Sequence, residues 1–168
     1  PVGSLGVRVP INETWGQFKT PEIAAWTKAY DPTRLVDAAS GGNHYRAGDM
    51  LDQHNYPMPG LLLFDADRVS VLGEFGGIGQ VVEGHLWEQD RNWGYVRFNT
   101  PQQVTDEYER YASSLLDHLR YFSAAVYTQT TDVETEVNGL MTYDRRVMKV
   151  DAERLRAINR RVCGALDE

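Results

Sequence analysis

At 168 residues, 42% hydrophobic and 24% charged, the chain is long enough for one domain with a buried core and ordinary in composition for a globular protein. Its formal net charge of -7 argues against nucleic acid, which rewards a basic face, and no apolar run approaches the roughly 20 residues that cross a bilayer. The single cysteine, Cys163, has no internal partner and leaves the redox compartment open. The chain starts at Pro1 with no charged segment leading into an apolar one, so it reads as a piece of something longer, whose signal peptide would lie in the missing part.

Leu5 to Ile11 alternates, with Leu5, Val7, Val9 and Ile11 on one face, which predicts a strand; Arg8 and Pro10 on the other face are awkward in a central one. Thr20-Pro21-Glu22 predicts a helix start, with a hydroxyl cap, proline at the first position and an acid in the first turn. Ile23, Trp26 and Tyr30 continue it at helical spacing, and Asp31-Pro32 stops it. Arg34 to Ala39 reads as a short strand ending in Ser40-Gly41-Gly42-Asn43-His44, and Met50 to Pro57 as another that runs into a Pro- and Gly-bearing loop. Leu61 to Ala66 fits a brief helix or a loop.

Val69 to Leu72 is β-branched and apolar enough for a buried strand, and it leads into Gly73-Glu74-Phe75-Gly76-Gly77. A polar and aromatic stretch follows through His85, Trp87, Trp93 and Tyr95. Thr100-Pro101 opens the clearest helix, with Val104, Tyr108, Tyr111, Leu115, Leu119 and Phe122 forming one apolar stripe that faces a core. Ala124 to Gln129 predicts a fifth strand, and Asp151 caps a final helix with Leu155, Ile158 and Val162 on one face.

About five strands alternating with helices or long loops predict an α/β fold with a parallel sheet. Asn12, Glu13, Asn43, His44, His54, Tyr56, Glu74 and Gln129 all fall at the C-terminal ends of these strands, the edge at which parallel α/β proteins bind ligands. Two glutamates at strand ends, Glu13 and Glu74, are the minimum equipment for hydrolysing a glycosidic bond. Other chemistries find no support. Gly73, Gly76, Gly77 and Gly79 make no dinucleotide fingerprint, and no lysine follows for a phosphate loop. His44, His54, His85 and His118 show no paired ligand spacing, so neither metal nor cofactor is expected. No serine or cysteine nucleophile signature is present.

The ordered set Asn12-Glu13-Thr14-Trp15-Gly16-Gln17-Phe18, Asp52-Gln53-His54-Asn55-Tyr56-Pro57, Gly73-Glu74-Phe75-Gly76-Gly77, Val126 to Glu134 and Asn138-Gly139-Leu140-Met141-Thr142-Tyr143-Asp144-Arg145 resembles the catalytic barrel of glycoside hydrolase family 2, the β-galactosidase and β-glucuronidase family. The resemblance runs from Ile11 to about Val162 and implies the C-terminal part of a TIM-type (β/α)8 barrel, about strands four to eight, as a single domain over 1–168. Thr14 stands where the family usually has glycine, and Leu5 to Pro10 is less apolar than the family's fourth strand.

By resemblance Glu13 is the general acid/base and Glu74 the nucleophile of a retaining, β-galactosidase-like hydrolysis, with β-glucuronidase the near alternative. Asn12 then hydrogen-bonds the sugar 2-hydroxyl. Tyr56 either holds Glu74 ionised or packs in the core; His54 contacts substrate, orients Tyr56, or is a buried and satisfied histidine. Trp87 is favoured over Trp93 for stacking on a sugar face, and Tyr127 and Gln129 end strand eight, where many relatives place tryptophan. A barrel lacking strands one to three leaves edges and interior open, so self-association or a partner supplying the missing half is expected, and a non-catalytic carbohydrate-binding remnant is the rival from another class. A complete α/β domain unrelated to sugars is the third reading.

Overall fold

The computed structural model describes residues 6–13, 16–42 and 44–165. It is a mixed α/β structure with small parallel sheets and three α-helices, in the order β1 (Val7–Arg8), α1 (Thr20–Tyr30), β2 (Leu35–Val36), β3 (Met50–Asn55), β4 (Val69–Gly76), β5 (Ile78–Gly79), β6 (Val96–Arg97), α2 (Pro101–Leu115), β7 (Ala124–Thr128) and α3 (Ala152–Gly164). β1 pairs parallel with β2, β5 pairs parallel with β6, and β3, β4 and β7 form a sheet in the order β3-β4-β7. The chain divides into two compact units, one built from 1–54, 61–74 and 121–125 and the other from 55–60, 75–120 and 126–168.

In the first unit the parallel pairing Val7↔Leu35 and Arg8↔Val36 sets the chain entering 9–13 beside the chain entering 37–41. The ladder continues past the strands: the amide of Asp37 donates to the carbonyl of Arg8, and that of Ser40 to the carbonyl of Ile11. Only two residues of the expected first strand are regular. Pro10 has no amide to donate, and Arg8 turns out to pair with Asp31, at 3.0 Å. Leu5, at the start of that expectation, and Thr14, Trp15 and Asn43 lie outside the described residues. Ala24, Val36 and Ala38 form a small core, and Leu51, Val71 and Leu72 are also buried.

The helix α1 corrects its expected cap. Thr20 is the first helical residue and is buried; the capping position is Lys19, left-handed at φ 46°, with no side-chain cap bond. Its aromatic face is also outward: Trp26 and Tyr30 are 66% and 79% exposed and stack on each other at 5.3 Å, while Thr20 and Ala24 are the buried positions. The segment 61–64 is a loop. The Gln53 side chain holds it, accepting from the amides of Leu62 and Leu63 and donating to the carbonyl of Leu63.

In the second unit the two remaining caps form as expected: the Thr100 hydroxyl accepts from the amide of Gln103, and the Asp151 carboxylate accepts from the amides of Glu153 and Arg154. α2 buries Val104, Tyr108, Tyr111 and Leu115, and α3 buries Leu155 and Ile158. The Tyr108 hydroxyl donates to Asn159 at 3.0 Å, and Arg154 reaches both Asp106 and Glu109, which locks the helix pair. The stripe on α2 stops earlier than its periodicity suggests, because the α-helix ends at Leu115 and tightens into a 3-10 turn over Leu116–His118.

Candidate active site

Three segments of the first unit bring Glu13, His54 and Glu74 together. Glu13 follows β1, His54 lies near the end of β3, and Glu74 lies near the end of β4. The expectation that His54 and Glu74 come after their strands is corrected, since β3 runs to Asn55 and β4 to Gly76. β4 is covered on both faces over Ser70, Val71 and Leu72 and leaves Glu74 partly exposed. His54 Nδ1 is 3.1 Å from a Glu13 carboxylate oxygen and 3.3 Å from one of Glu74. These three atoms all lie within 4.8 Å of one another.

The histidine is held from behind. Its side chain is 9% exposed, against 40% for Glu13. Nε2 is 2.8 Å from the Ser40 hydroxyl, which itself donates to Asp52 at 2.8 Å. Asp52 also accepts from the amide of Gly73 at 2.6 Å. Burial alone would push the Asp52 carboxyl up, but His54, Asp37, the Ser40 hydroxyl and the Gly73 amide together hold it below its ordinary range. An ionised Asp52 only accepts, so the single Ser40 proton goes to it and Nε2–H donates to the Ser40 oxygen. In neutral His54 the bare nitrogen is therefore Nδ1, the one that faces two carboxylates.

Asp37, 3% exposed, completes the layer behind. Burial first, and the neighbouring Asp52 second, push it up to about 8, so Asp37 keeps its proton while Asp52 stays ionised. Burial lowers His54, but Asp52, Glu74 and Glu13 outweigh that and raise it. Two glycines make the close approach possible. A Cβ on Gly73 would lie 2.0 Å from Asp52, and one on Gly41, whose φ is +67°, would lie 2.4 Å from the His54 ring. The Gln17 side-chain amide fastens the Glu13 segment, donating to the carbonyl of Asn12 at 3.1 Å and reaching that of Gly41 at 3.4 Å.

Of the other residues singled out in the sequence, Asn12 belongs to this unit and its side chain is exposed at the same turn as Glu13. Tyr56, Trp87 and Gln129 belong to the second unit. There Tyr56 stacks flat on Tyr95 at 3.8 Å, Trp87 is 63% exposed and edge-on to Tyr143, and Gln129 donates to the Asn138 side chain at 2.9 Å. Sequence reasoning passed over Ser40, Asp52 and Asp37. The signal for Asp52 was present, two residues before His54 and so on the same face of one strand. Asp37 and Ser40 carried none, since their link to that face is a long-range contact, made through the Ser40 hydroxyl to Asp52 and His54.

No protein-family model matches this chain, and no curated protein matches it.

Proposed function

We propose that the chain is the C-terminal part of a (β/α)8 barrel like that of glycoside hydrolase family 2, and that it belongs to an exo-acting, retaining, β-galactosidase-like enzyme. The observation that carries this reading is the approach of the two carboxylates, one oxygen of each lying within 4.8 Å of the other. Retaining enzymes hold their carboxyl groups about 5–5.5 Å apart, whereas inverting enzymes need roughly 6.5–9.5 Å to admit a water. The parallel β1–β2 pair, with Glu13 beyond β1 and Ser40 beyond β2, is the local geometry that a barrel rim requires.

In this mechanism Glu13 starts protonated and Glu74 ionised. Glu74 attacks the anomeric carbon while Glu13 gives its proton to the leaving oxygen, the glycosidic C–O bond breaks, and a glycosyl ester forms on Glu74. Glu13, now ionised, takes a proton from water as that water attacks the anomeric carbon, and the ester bond to Glu74 breaks with retention. The Asp37–Asp52–Ser40–His54 chain fixes the ring that the two carboxylates share. Asn12, exposed beside Glu13, would meet a sugar hydroxyl in this reading.

The test is a panel of nitrophenyl β-glycosides with the purified chain. Glu13→Gln should slow turnover by about 10²–10⁴-fold, and Glu74→Gln by at least as much. A 2-fluoro glycoside should leave a covalent adduct on Glu74. Silence across the panel from a folded chain, with no adduct, would overturn activity for this chain and favour the carbohydrate-binding remnant. Preference for β-glucuronides would replace the galactosidase reading by its near alternative.

A further inference from the structure

Two facts about the Glu13–His54–Glu74 cluster are not explained by hydrolysis. His54 Nδ1 and the nearest Glu13 oxygen are 3.1 Å apart and both buried, yet neither has a hydrogen-bond partner among the described residues. Nitrogen and oxygen at that distance ordinarily share a proton along the line between them. With Nε2–H committed to Ser40, Nδ1 of the neutral ring carries no proton, so nitrogen and carboxylate oxygen are two acceptors side by side.

A second observation comes from the other side of the ring. Nε2–H is committed to Ser40 and through it to Asp52. A histidine that ligates a metal almost always donates its other ring N–H to a carboxylate, carbonyl or water, which fixes the tautomer and aims the bare nitrogen. His54 has that arrangement, with its bare nitrogen 3.1 and 3.3 Å from two carboxylate oxygens. Ligands bound at about 2.0–2.2 Å to one ion lie roughly 3–3.5 Å apart along their shared edges. The two edges from His54 already have that length, and the third, between the carboxylates, is within 4.8 Å.

We propose that Glu13, His54 and Glu74 form a three-ligand site for a divalent first-row transition ion, with Zn2+ the fitting case. Two carboxylates neutralise the charge of the ion. One imidazole nitrogen biases the site away from Mg2+ and Ca2+, which prefer all-oxygen shells. Three protein ligands leave an outward coordination position on the Glu13 side, the most exposed of the three. Binding is a property of these residues alone. Its consequence rests on the proposed glycosidase reading: an ion on both carboxylates leaves Glu74 unable to attack and Glu13 unable to carry a proton, so Zn2+ and hydrolysis exclude each other.

The test is calorimetric titration of the metal-stripped chain with Zn2+. Cys163, which is exposed, is replaced by Ser in every sample so that its thiol takes no metal. One Zn2+ per chain is expected. His54→Gln and Glu74→Gln should each weaken it at least tenfold, and Asp52→Asn, which removes the charge behind the histidine, by roughly 10–100-fold. Co2+ should give visible absorption bands that Zn2+ bleaches and that His54→Gln abolishes. If His54→Gln does not fold, the near-isosteric Glu74→Gln decides. No Zn2+ binding, or binding unchanged by both variants, overturns the proposal. Zn2+ binding by a chain that hydrolyses nothing would leave the site standing and remove only its consequence. Hydrolysis that Zn2+ does not inhibit, together with absent binding, would do the reverse and remove the site while leaving the glycosidase.

Discussion

Each unit of the molecule buries charge, and the two solve the problem in opposite ways. In the second unit Lys149 is fully buried, and its ammonium donates to Asp132 at 2.6 Å, to the carbonyl of Val137 at 2.9 Å and to that of Gln80 at 3.2 Å. Asp132 takes a further bond from the amide of Gly139. All three ammonium protons are used, so this pair pins the chain at 80, 132, 137 and 139 and does nothing else. In the first unit the acids are in excess. Asp37, Asp52, Glu13 and Glu74 surround one imidazole, and three buried atoms of the cluster, one each of Glu13, Asp37 and His54, have no partner among the described residues. A satisfied buried network specifies structure, whereas one left short of donors is a candidate functional site.

The comparison can be broken first at its satisfied end. Lys149→Met leaves Asp132 buried and unpaired together with two carbonyls, and it should cost about 3–5 kcal/mol of unfolding free energy in urea melts. A variant as stable as the parent would mean that the second unit tolerates unbalanced charge as well as the first.

The next test sits at the unsatisfied end. Gly41→Ala puts a methyl 2.4 Å from the His54 ring at a positive φ, so it strains the backbone and displaces the ring together. It should cost about 1–3 kcal/mol and abolish hydrolysis or Zn2+ binding beyond what that loss of stability explains. Retention of both would show that the ring position is not what the site depends on.

The smallest effect sharpens the electrostatics. Asp37 binds its proton more tightly folded, at a value of about 8, than unfolded. Its contribution to stability is therefore full below about pH 4 and is lost as pH rises toward 8, with a slope of at most about 1.4 kcal/mol per pH unit. Asp37→Asn, always neutral, should flatten stability against pH across that window in parallel urea titrations. An unchanged slope would place the shared proton elsewhere.

Much of this was written in local sequence. Thr100-Pro101 and Asp151 start their helices because a hydroxyl or carboxylate satisfies the first free amides, which is a matter of a few adjacent residues. The strand positions of Met50, Val69 and Ala124 followed from β-branched and apolar runs, and the two glutamates stood out by their place after such runs. Thr20 failed as a cap for a tertiary reason: the residue that looks like a cap is drawn into the core, and Lys19 takes the turn. Trp26 and Tyr30 have helical spacing, but spacing does not say what covers a face, and they lie exposed.

By itself, then, the sequence determined the starts of the last two helices and the positions of the main strands, because propensity, capping and periodicity act over a few residues. Only the tertiary structure decided that Glu13, His54 and Glu74 meet at one nitrogen and that Ser40, Asp52 and Asp37 stand behind it. The histidines showed no ligand spacing because the partners come from positions 13, 54 and 74, on three separate segments. Strand register brings such residues within hydrogen-bond distance, and register is a long-range property that no short motif encodes.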